Sequence, residues 1–490
     1  MLIGLYTTRV VLHVLGQEDF GTYNAVAGIV LLFAFLSSTM ATASQRFFAM
    51  ELGVDNHIKL KQVFSINVLI FIGLALIIFV FSETIGLWYL KTKIVIPLDR
   101  VEAAGWVYQF AIITIMTNII TIPYLAIITA REKMQVYAYL SILEVAFKLG
   151  IVFVLIYIPT DKLKLYAVLM FIVQILISAS YISYATLKFP ECRIKYYWNK
   201  NMFKEVVGFA GWNVLGSLSM TARGQGVMQL LNQFFGVLMN AALSVSYQVY
   251  SALTRLVDGF FTAVRPQIVK SYSFDKEDTS GEMMKLVFQS SKFCFYLVLM
   301  ISIPILIETK SILALWLNNK VPDSSLIFTR LMIITAIIES LAYPLITSIN
   351  ATGKIKKYQL FASTVILLIL PVSYLFLKLG FPPQITMYVM IVAAVLAQIG
   401  RIYFMKSMLK MNVSHYLKQV IFPVSVVTIL TFVLPLLFYR SFDASFWRIV
   451  GVTATTVVSS VFTIYFVGLT KTERMALKTF VISKIFKTLR

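Results

Sequence analysis

The sequence predicts an all-α polytopic membrane protein with about 14 transmembrane helices. Hydrophobic residues are 59% of the 490 residues and charged residues only 13%, whereas a soluble chain would carry about a quarter charged residues. The mean hydropathy is +0.83. Apolar runs of about 20 residues or more recur along the chain, and a run of that length can cross the hydrocarbon layer of a bilayer.

The predicted spans follow one another through short polar connections, and no loop is long enough to hold a soluble domain. The first span is the weakest, because about 15 residues fall short of the roughly 20 that a crossing needs. We therefore expect the first helix to be truncated, with the true start upstream of Met1. The spans are 1–15, 22–49, 62–90, 103–130, 136–158, 163–187, 206–231, 239–265, 286–316, 326–351, 358–380, 384–405, 416–439 and 447–469.

Basic residues predict the orientation. With a cytoplasmic N-terminus, about 25 Lys and Arg residues fall on the cytoplasmic side and about 9 on the other. Both termini are therefore predicted to be cytoplasmic. The net charge of +21 is a topology signal on this interpretation and indicates no nucleic-acid partner. We interpret the basic tail as an interfacial helix on anionic lipid.

An internal repeat predicts the domain organisation. Residues 122–137 (IPYLAIITAREKMQVY) align with residues 343–358 (YPLITSINATGKIKKY), with Pro, Ala, Lys and Tyr in register. An even number of helices in each half gives a parallel repeat about an axis along the membrane normal, with the substrate path at the interface. The predicted parts are an N-terminal six-helix half at 1–187, a basic cytoplasmic linker at 188–204, a C-terminal six-helix half at 205–405, an extra helix pair at 406–469 and a basic amphipathic cytoplasmic tail at 470–490.

A weaker repeat relates the first hairpin of each half. Thr8-Arg9 resembles Thr221-x-Arg223, and Gly21 aligns loosely with Gly236. We therefore expect the two hairpins to form the walls of one central cationic passage.

Motifs of soluble enzymes are missing from the sequence. There is no G-x-x-x-x-G-K-[ST] nucleotide loop, so ATP hydrolysis by this chain is not expected. Two distant cysteines and three isolated histidines give neither a disulfide framework nor a metal site. We predict no catalytic residues, no metal, no cofactor and no enzymatic activity.

Ionisable residues inside the spans are the remaining candidates, because a charge there is costly unless it lines a wet cavity or has a partner. The predicted basic set is Arg9, Arg46, Lys148, Arg223, Arg255, Arg265, Lys292 and Arg330, and the acidic set is Glu83, Glu144, Asp258, Glu308 and Glu339.

Each candidate also has a structural interpretation. Glu144 and Lys148 are spaced i, i+4, and Arg255 and Asp258 i, i+3, so each could be a self-neutralising pair on one helix. Residues near predicted span ends could instead extend to the interface, as would apply to Arg46, Arg265, Lys292 and Glu308. Arg9 and Arg223 have no acidic neighbour in the sequence, which favours a role in an anion-binding cavity.

At these positions the chain resembles a known family. Residues 15–23 (LGQEDFGTY), 44–48 (SQRFF) and 51–53 (ELG) are similar to the opening of the polysaccharide transporter family, the Wzx-type O-antigen and capsule flippases. This family belongs to the multidrug/oligosaccharidyl-lipid/polysaccharide exporter superfamily. The resemblance implies a cationic cavity made by the first two helices of each half. Its residues here would be Arg9, Arg46, Arg223, Arg255 and Arg265.

The resemblance also implies a function. The chain would flip an undecaprenyl-pyrophosphate-linked oligosaccharide across the bacterial cytoplasmic membrane by alternating access, coupled to Na⁺, H⁺ or the membrane potential. Asp258 and Glu144 are the candidate coupling residues. The expected partners are the lipid-linked substrate, membrane lipid, and polysaccharide polymerase and chain-length regulator proteins. The alternatives are a multidrug or cation antiporter of the same superfamily and a membrane-embedded polysaccharide polymerase or ligase.

Overall fold

The protein is helical throughout the part of the chain that its structure describes. A computed structural model describes residues 2–32, 44–45, 47–48, 51–52, 57–131, 133–158, 160–193, 197–274 and 281–475. These ranges contain no β-strand, which confirms the predicted all-α fold.

The helices of these ranges are numbered in chain order. They are α1 (Leu2–Leu31), α2 (His57–Thr92), α3 (Val101–Ala130), α4 (Met134–Tyr157), α5 (Lys162–Lys188), α6 (Lys200–Thr221), α7 (Val227–Phe235), α8 (Val237–Phe274), α9 (Glu282–Ile307), α10 (Thr309–Trp316), α11 (Ser325–Ser340), α12 (Ala342–Ala351), α13 (Lys356–Leu367), α14 (Ile369–Lys378), α15 (Ile385–Leu409), α16 (Val413–Ser441) and α17 (Phe446–Gly468).

Most of the predicted spans appear as long apolar helices. Within the described residues, nine helices are long and apolar enough to cross a membrane, and the bent pair α11–α12 makes a tenth. These ten coincide with the predicted spans three to six and nine to fourteen. The other four predicted spans fall on α1, α6, α7 and α8 and on residues outside the described ranges. The described parts of these helices are richer in polar residues, and the total of fourteen remains a prediction.

The two copies of the proline repeat have the same local structure. Pro123 lies in α3 and Pro344 in α12, each seven residues before the helix ends. Ala130 and Ala351 are the last residues of those helices. The aligned alanines therefore mark equivalent helix ends, as the sequence alignment predicts.

The chain contains two compact units. The first unit comprises Met1–Val245, Trp316–Ser325 and Ala362–Val389, and the second comprises Ser246–Leu315, Leu326–Phe361 and Met390–Arg490. This division follows packing contacts and does not coincide with the predicted boundary at 188–204. The two six-helix halves remain a prediction.

The core of the first unit is built by α2, α3 and α5. Phe64 and Tyr124 pack edge to face with their ring centroids 5.3 Å apart. The hydroxyl of the fully buried Tyr108 donates a 2.6 Å hydrogen bond to the carbonyl of Ser82, at a π-helical turn of α2. A Cβ on Gly86 would lie 2.2 Å from that hydroxyl oxygen, so the glycine makes room for the tyrosine.

Ion pairs fix the ends of helices in the first unit. Asp19 Oδ1 lies 3.0 Å from Arg100 Nε, and Glu191 Oε1 accepts a 2.7 Å hydrogen bond from Arg131 Nε. Each pair joins residues that the predicted alternation of spans assigns to the same side of the membrane. The pairs are therefore consistent with that alternation.

In the second unit, two ion pairs connect α9 to α17 and the residues that follow it. The Lys292 ammonium lies 2.7 Å from Glu473 Oε2, and Arg448 forms a bidentate pair with Glu308, in which NH2 lies 3.0 Å from Oε2. Lys292 and Glu308 are each 1% exposed. Lys292 and Glu308 therefore form buried ion pairs and do not extend to the interface as expected. These pairs attach the extra helix pair to α9 at its C-terminal end and ten residues from its N-terminal end.

We predict that Lys292→Met lowers the free energy of unfolding by about 3 kcal/mol, because it leaves the Glu473 carboxylate buried without its counter-charge. The double change Lys292→Met/Glu473→Gln should recover most of that loss. Thermal unfolding of the purified protein in detergent measures both effects. Lys285→Met on the exposed side of the same helix is the matched control, and an equal loss in the control would contradict the prediction.

Candidate transport site

Two glycines form the turns of the predicted hairpins. Gly16 lies at a kink inside α1, and Gly236 lies between α7 and α8. Gly16 has φ 83° and ψ 172°, and Gly236 has φ 79° and ψ −174°, a conformation that glycine adopts at little cost. The sequence separation of these glycines is also close to that of Pro123 and Pro344. The residue that corresponds to Gly236 is therefore Gly16, and the sequence-based alignment with Gly21 was wrong.

This correction changes the relation between Arg9 and Arg223 in the repeat. Arg9 lies seven residues before Gly16, or about 10 Å of helix, whereas Arg223 lies thirteen residues before Gly236, or about 20 Å. Both belong to the first unit, where Arg9 is half-buried and Arg223 is buried. The two arginines thus lie at different distances from their turns, and they are not equivalent positions of the repeat. Arg46 lies outside the described residues.

The helix α1 packs closely on α7 and on the turn before it. The Gln229 amide donates a 2.9 Å hydrogen bond to the carbonyl of Ala25. A Cβ on Gly28 would lie 2.8 Å from the Gln225 amide oxygen, and one on Gly21 would lie 2.1 Å from the carbonyl oxygen of Val237. Small residues on one face of α1 therefore bring two glutamine side chains against its backbone.

Arg223 belongs to a widened helical turn. The π-helical segment Ala222–Gly226 joins α6 to α7, and Gly226 leaves the space that the side chain of Leu370 occupies. Single π-helical turns inside membrane helices are frequent at functional sites because they redirect the side chains they carry. The arginine that the sequence singles out is thus located on such a turn.

An asparagine that the sequence analysis missed holds the end of this hairpin. The fully buried Asn232 accepts a 2.9 Å hydrogen bond from the Val95 backbone N–H and donates through Nδ2 to the Val95 carbonyl at 3.3 Å. This pairing anchors α7 to the connection between α2 and α3. Nothing in the sequence indicates that an asparagine would pair with a backbone 137 residues away.

One face of α8 is polar and exposed. Arg255, Asp258, Thr262 and Arg265 follow one another at intervals of three or four residues, so they share a helix face, and all four are exposed. We call these four residues the α8 polar face. Arg255 and Asp258 do not form the proposed i, i+3 ion pair within the described residues. Two arginines and an aspartate facing lipid would be very costly, so this face should border water.

The other candidate coupling residue has a partner. Glu144 forms an ion pair with Lys148 on α4, as the i, i+4 spacing predicts. Its side chain also lines a 230 Å³ cavity of the first unit with Gln174, Ser178 and Tyr181. Lys148 therefore balances the charge of Glu144, whereas Asp258 has no ion-pair partner among the described residues.

A second carboxylate lies at a broken helix. Glu339 is next to the last residue of α11, where the axis bends by 41° into α12, and its carboxylate accepts a hydrogen bond from the Tyr250 hydroxyl of α8. The sequence places Glu339 among the acidic residues in spans and gives no indication of its role. Pro344 within the predicted span 326–351 was the available signal, because proline bends a helix and half-helix ends in a membrane frequently bind ions.

Comparison with known proteins identifies the fold. No family model matches the chain, and no curated protein matches its sequence. Solved structures do match it. The fold is that of the MATE transporters and the MurJ flippase. At 13–14% sequence identity this likeness establishes the fold and nothing finer.

The matches differ in how much of this chain they cover. An inward-facing MATE family multidrug resistance transporter of the MOP superfamily has a TM-score of 0.67 and 14% identity, and covers 85% of this chain and 96% of its own. The lipid II flippase MurJ in an inward closed conformation has a TM-score of 0.63 and 13% identity. The match covers 94% of this chain and 97% of the MurJ chain. The eukaryotic MATE transporter AtDTX14 has a TM-score of 0.54 and 14% identity, and covers 86% and 94%.

The coverage of the MurJ match bears on the end of the chain. Residues 406–490 are more than a sixth of the sequence, so a match over 94% of the chain has to include much of the helix pair α16–α17. The MurJ fold therefore includes much of this pair.

We predict that Thr262→Cys reacts with a membrane-impermeant charged thiosulfonate, because the α8 polar face borders water and its thiol can ionise there. Ile429→Cys is the control, since residue 429 is also exposed (68%) but lies on the apolar helix α16. Mass spectrometry of the labelled protein measures the reaction.

The native cysteines should give little background in this experiment. Both Cys192 and Cys294 are fully buried. Burial raises the pKa of the Cys192 thiol to about 12, which leaves almost no thiolate at neutral pH. Equal labelling of Thr262→Cys and Ile429→Cys would show that the α8 polar face borders lipid.

Proposed function

We propose that the protein is a flippase for a lipid-linked oligosaccharide, with the pyrophosphate of an undecaprenyl-type carrier as the group that the site recognises. The observation that carries the proposal is the α8 polar face, where two arginines stand against one aspartate on an exposed helix face. A water-lined surface with excess guanidinium suits an anion, and its fork of N–H donors matches phosphate oxygens. A cationic drug would favour an excess of acids.

The likeness to MurJ supports a substrate that keeps its tail in the bilayer. That flippase and this chain share the fold over 94% of the present sequence, including much of the α16–α17 pair. A headgroup could bind the arginines while the polyprenyl tail remains among lipids. Movement of the fold between inward-open and outward-open states would then carry the headgroup across.

We propose that an ion gradient or the membrane potential supplies the energy for the cycle, since the sequence contains no nucleotide motif. Moving one charge through the membrane potential yields about 2.3 kcal/mol per 100 mV. Asp258 is the better coupling residue, because it forms no ion pair within the described residues, whereas Glu144 is paired with Lys148. Glu339 at the α11–α12 break is a further carboxylate of the second unit.

Transport in proteoliposomes tests the proposal. We expect the wild type to translocate a fluorescent polyprenyl-pyrophosphate sugar and not a cationic dye. Arg255→Ala and Arg265→Ala should each lower the rate about tenfold or more, because each removes charge-assisted hydrogen bonds to phosphate. Arg440→Gln is the control, an exposed arginine at the end of α16 and outside the α8 polar face.

Two results would contradict this proposal. One is dye transport without sugar-lipid transport, which would favour the multidrug antiporter. The other is unchanged transport and unchanged surface polysaccharide in both arginine variants.

Coupling has its own test. Asp258→Asn should remove the dependence of transport on an imposed Na⁺ or H⁺ gradient while leaving downhill exchange measurable, because the neutral amide cannot bind and release the coupling cation. Glu144→Gln is the matched control and should retain the gradient dependence. The assignment fails if Glu144→Gln loses it and Asp258→Asn does not.

A further inference from the structure

A large cavity opens at the end of the first unit where α2 begins and α3 ends. It has a volume of 810 Å³ and is lined by side chains of the first turns of α2, by Arg131 just beyond α3, and by Pro190, Glu191 and Tyr197. We infer that this cavity binds a phosphate group, as a second anion site separate from the α8 polar face. The positive-inside pattern predicts that the site faces the cytoplasm.

A fixed arginine forms one wall of the cavity. Arg131 lies just beyond the last residue of α3, and its Nε and NH2 both donate to one oxygen of the Glu191 carboxylate. The guanidinium also lies 4.9 Å from the centroid of the Phe189 ring. Glu191 is 5% exposed, so the pair is held at the base of the linker and the arginine has little freedom to move.

The arginine keeps donors for a ligand. A guanidinium has five N–H groups, and the two contacts with Glu191 leave three that have no partner among the described residues. A phosphate in the cavity could accept these hydrogen bonds without breaking the ion pair. Because Glu191 already balances its charge, Arg131 would contribute hydrogen-bond donors in fixed positions and no excess positive charge.

The residues of α2 supply the excess charge. Lys61 is half-buried on the first turns of α2, next to the amide of Gln62. Its ammonium has no carboxylate partner within the described residues. The first turn of α2 also contains no acidic residue, so the positive end of the helix dipole is not neutralised from within the helix. His57 and the Tyr197 hydroxyl complete the polar lining.

The chemistry of this lining selects the ligand class. The ionised groups are Lys61 and Arg131 against Glu191, so the net charge is positive and a cation would be repelled. The mixture of a point charge, a fixed planar donor and neutral donors is typical of phosphate sites. A cavity of 810 Å³ is larger than one phosphate needs and can accept the group to which it is attached.

Such a site differs from the proposed transport site in position. The cavity is built entirely by the first unit, whereas the α8 polar face belongs to the second unit. Phosphate binding here therefore does not depend on whether the protein transports a sugar-lipid. The ligand could be a water-soluble phosphate compound or the headgroup of an anionic lipid, which share the chemistry that the cavity recognises.

Two binding measurements on the purified full-length protein distinguish these sources. Inorganic pyrophosphate is titrated by calorimetry in a neutral detergent, in the Arg255→Gln/Arg265→Gln background and in the wild type. Separately, native mass spectrometry counts the phosphatidylglycerol and phosphatidylcholine molecules that the protein retains. Both are repeated with Lys61→Gln, with Lys61→Arg and with the control Lys200→Gln, an exposed lysine at the start of α6.

We expect Lys61→Gln to weaken binding about tenfold, as the loss of one charge-assisted hydrogen bond implies, and Lys61→Arg and Lys200→Gln to preserve it. Lys61-dependent binding of pyrophosphate supports the site with a soluble ligand, and Lys61-dependent retention of phosphatidylglycerol alone supports it with a lipid. The inference is overturned if neither probe binds, or if Lys61→Gln and Lys200→Gln behave alike.

Discussion

The cost of placing charge in hydrocarbon constrains the whole structure. Each ionised side chain in or near a span has to find a counter-charge or reach water. Lys292 and Glu308 find a counter-charge, because they pair with Glu473 and Arg448. Arg255 and Asp258 instead lie on an exposed helix face, where they should reach water. Charges of the first kind hold the fold together, and those of the second kind remain available for a ligand.

The polar helices also explain where small residues are needed. A helix with charges or amides on its surface can be buried only if its neighbour approaches closely enough to satisfy them. On α1, Gly21 and Gly28 have no side chain and Ala25 has only a methyl group. Gln229 therefore reaches the backbone of α1 there. The same hairpin requires glycine at its turn for a different reason, because Gly16 adopts a positive φ. Glycine thus serves packing on the helix and conformation at the turn.

The sequence predicted what depends on local composition and failed where distant residues decide. Ten spans were predicted because apolar length alone determines them, and the ends at Ala130 and Ala351 followed from the repeat. Extension of Lys292 to the interface was a reasonable expectation until Glu473, 181 residues later, proved to be its partner. The alignment of Gly21 with Gly236 failed because residue identity does not report backbone conformation, which Gly16 shares with Gly236.

The α9–α17 attachment bears on the choice between a lipid-linked and a free substrate. A helix pair appended to a transporter core could move independently if one end alone were fixed. Here Glu308 pairs with Arg448 at one end of α9, and Lys292 pairs with Glu473 toward the other. Any displacement of α9 would have to carry α17 with it, because separating either pair would leave a charge buried alone. A helix pair coupled to the second unit in this way would keep a constant relation to the α8 polar face, which belongs to the same unit. That constancy suits a substrate whose headgroup and lipid tail have to be handled together, and it would add nothing for a small soluble cation.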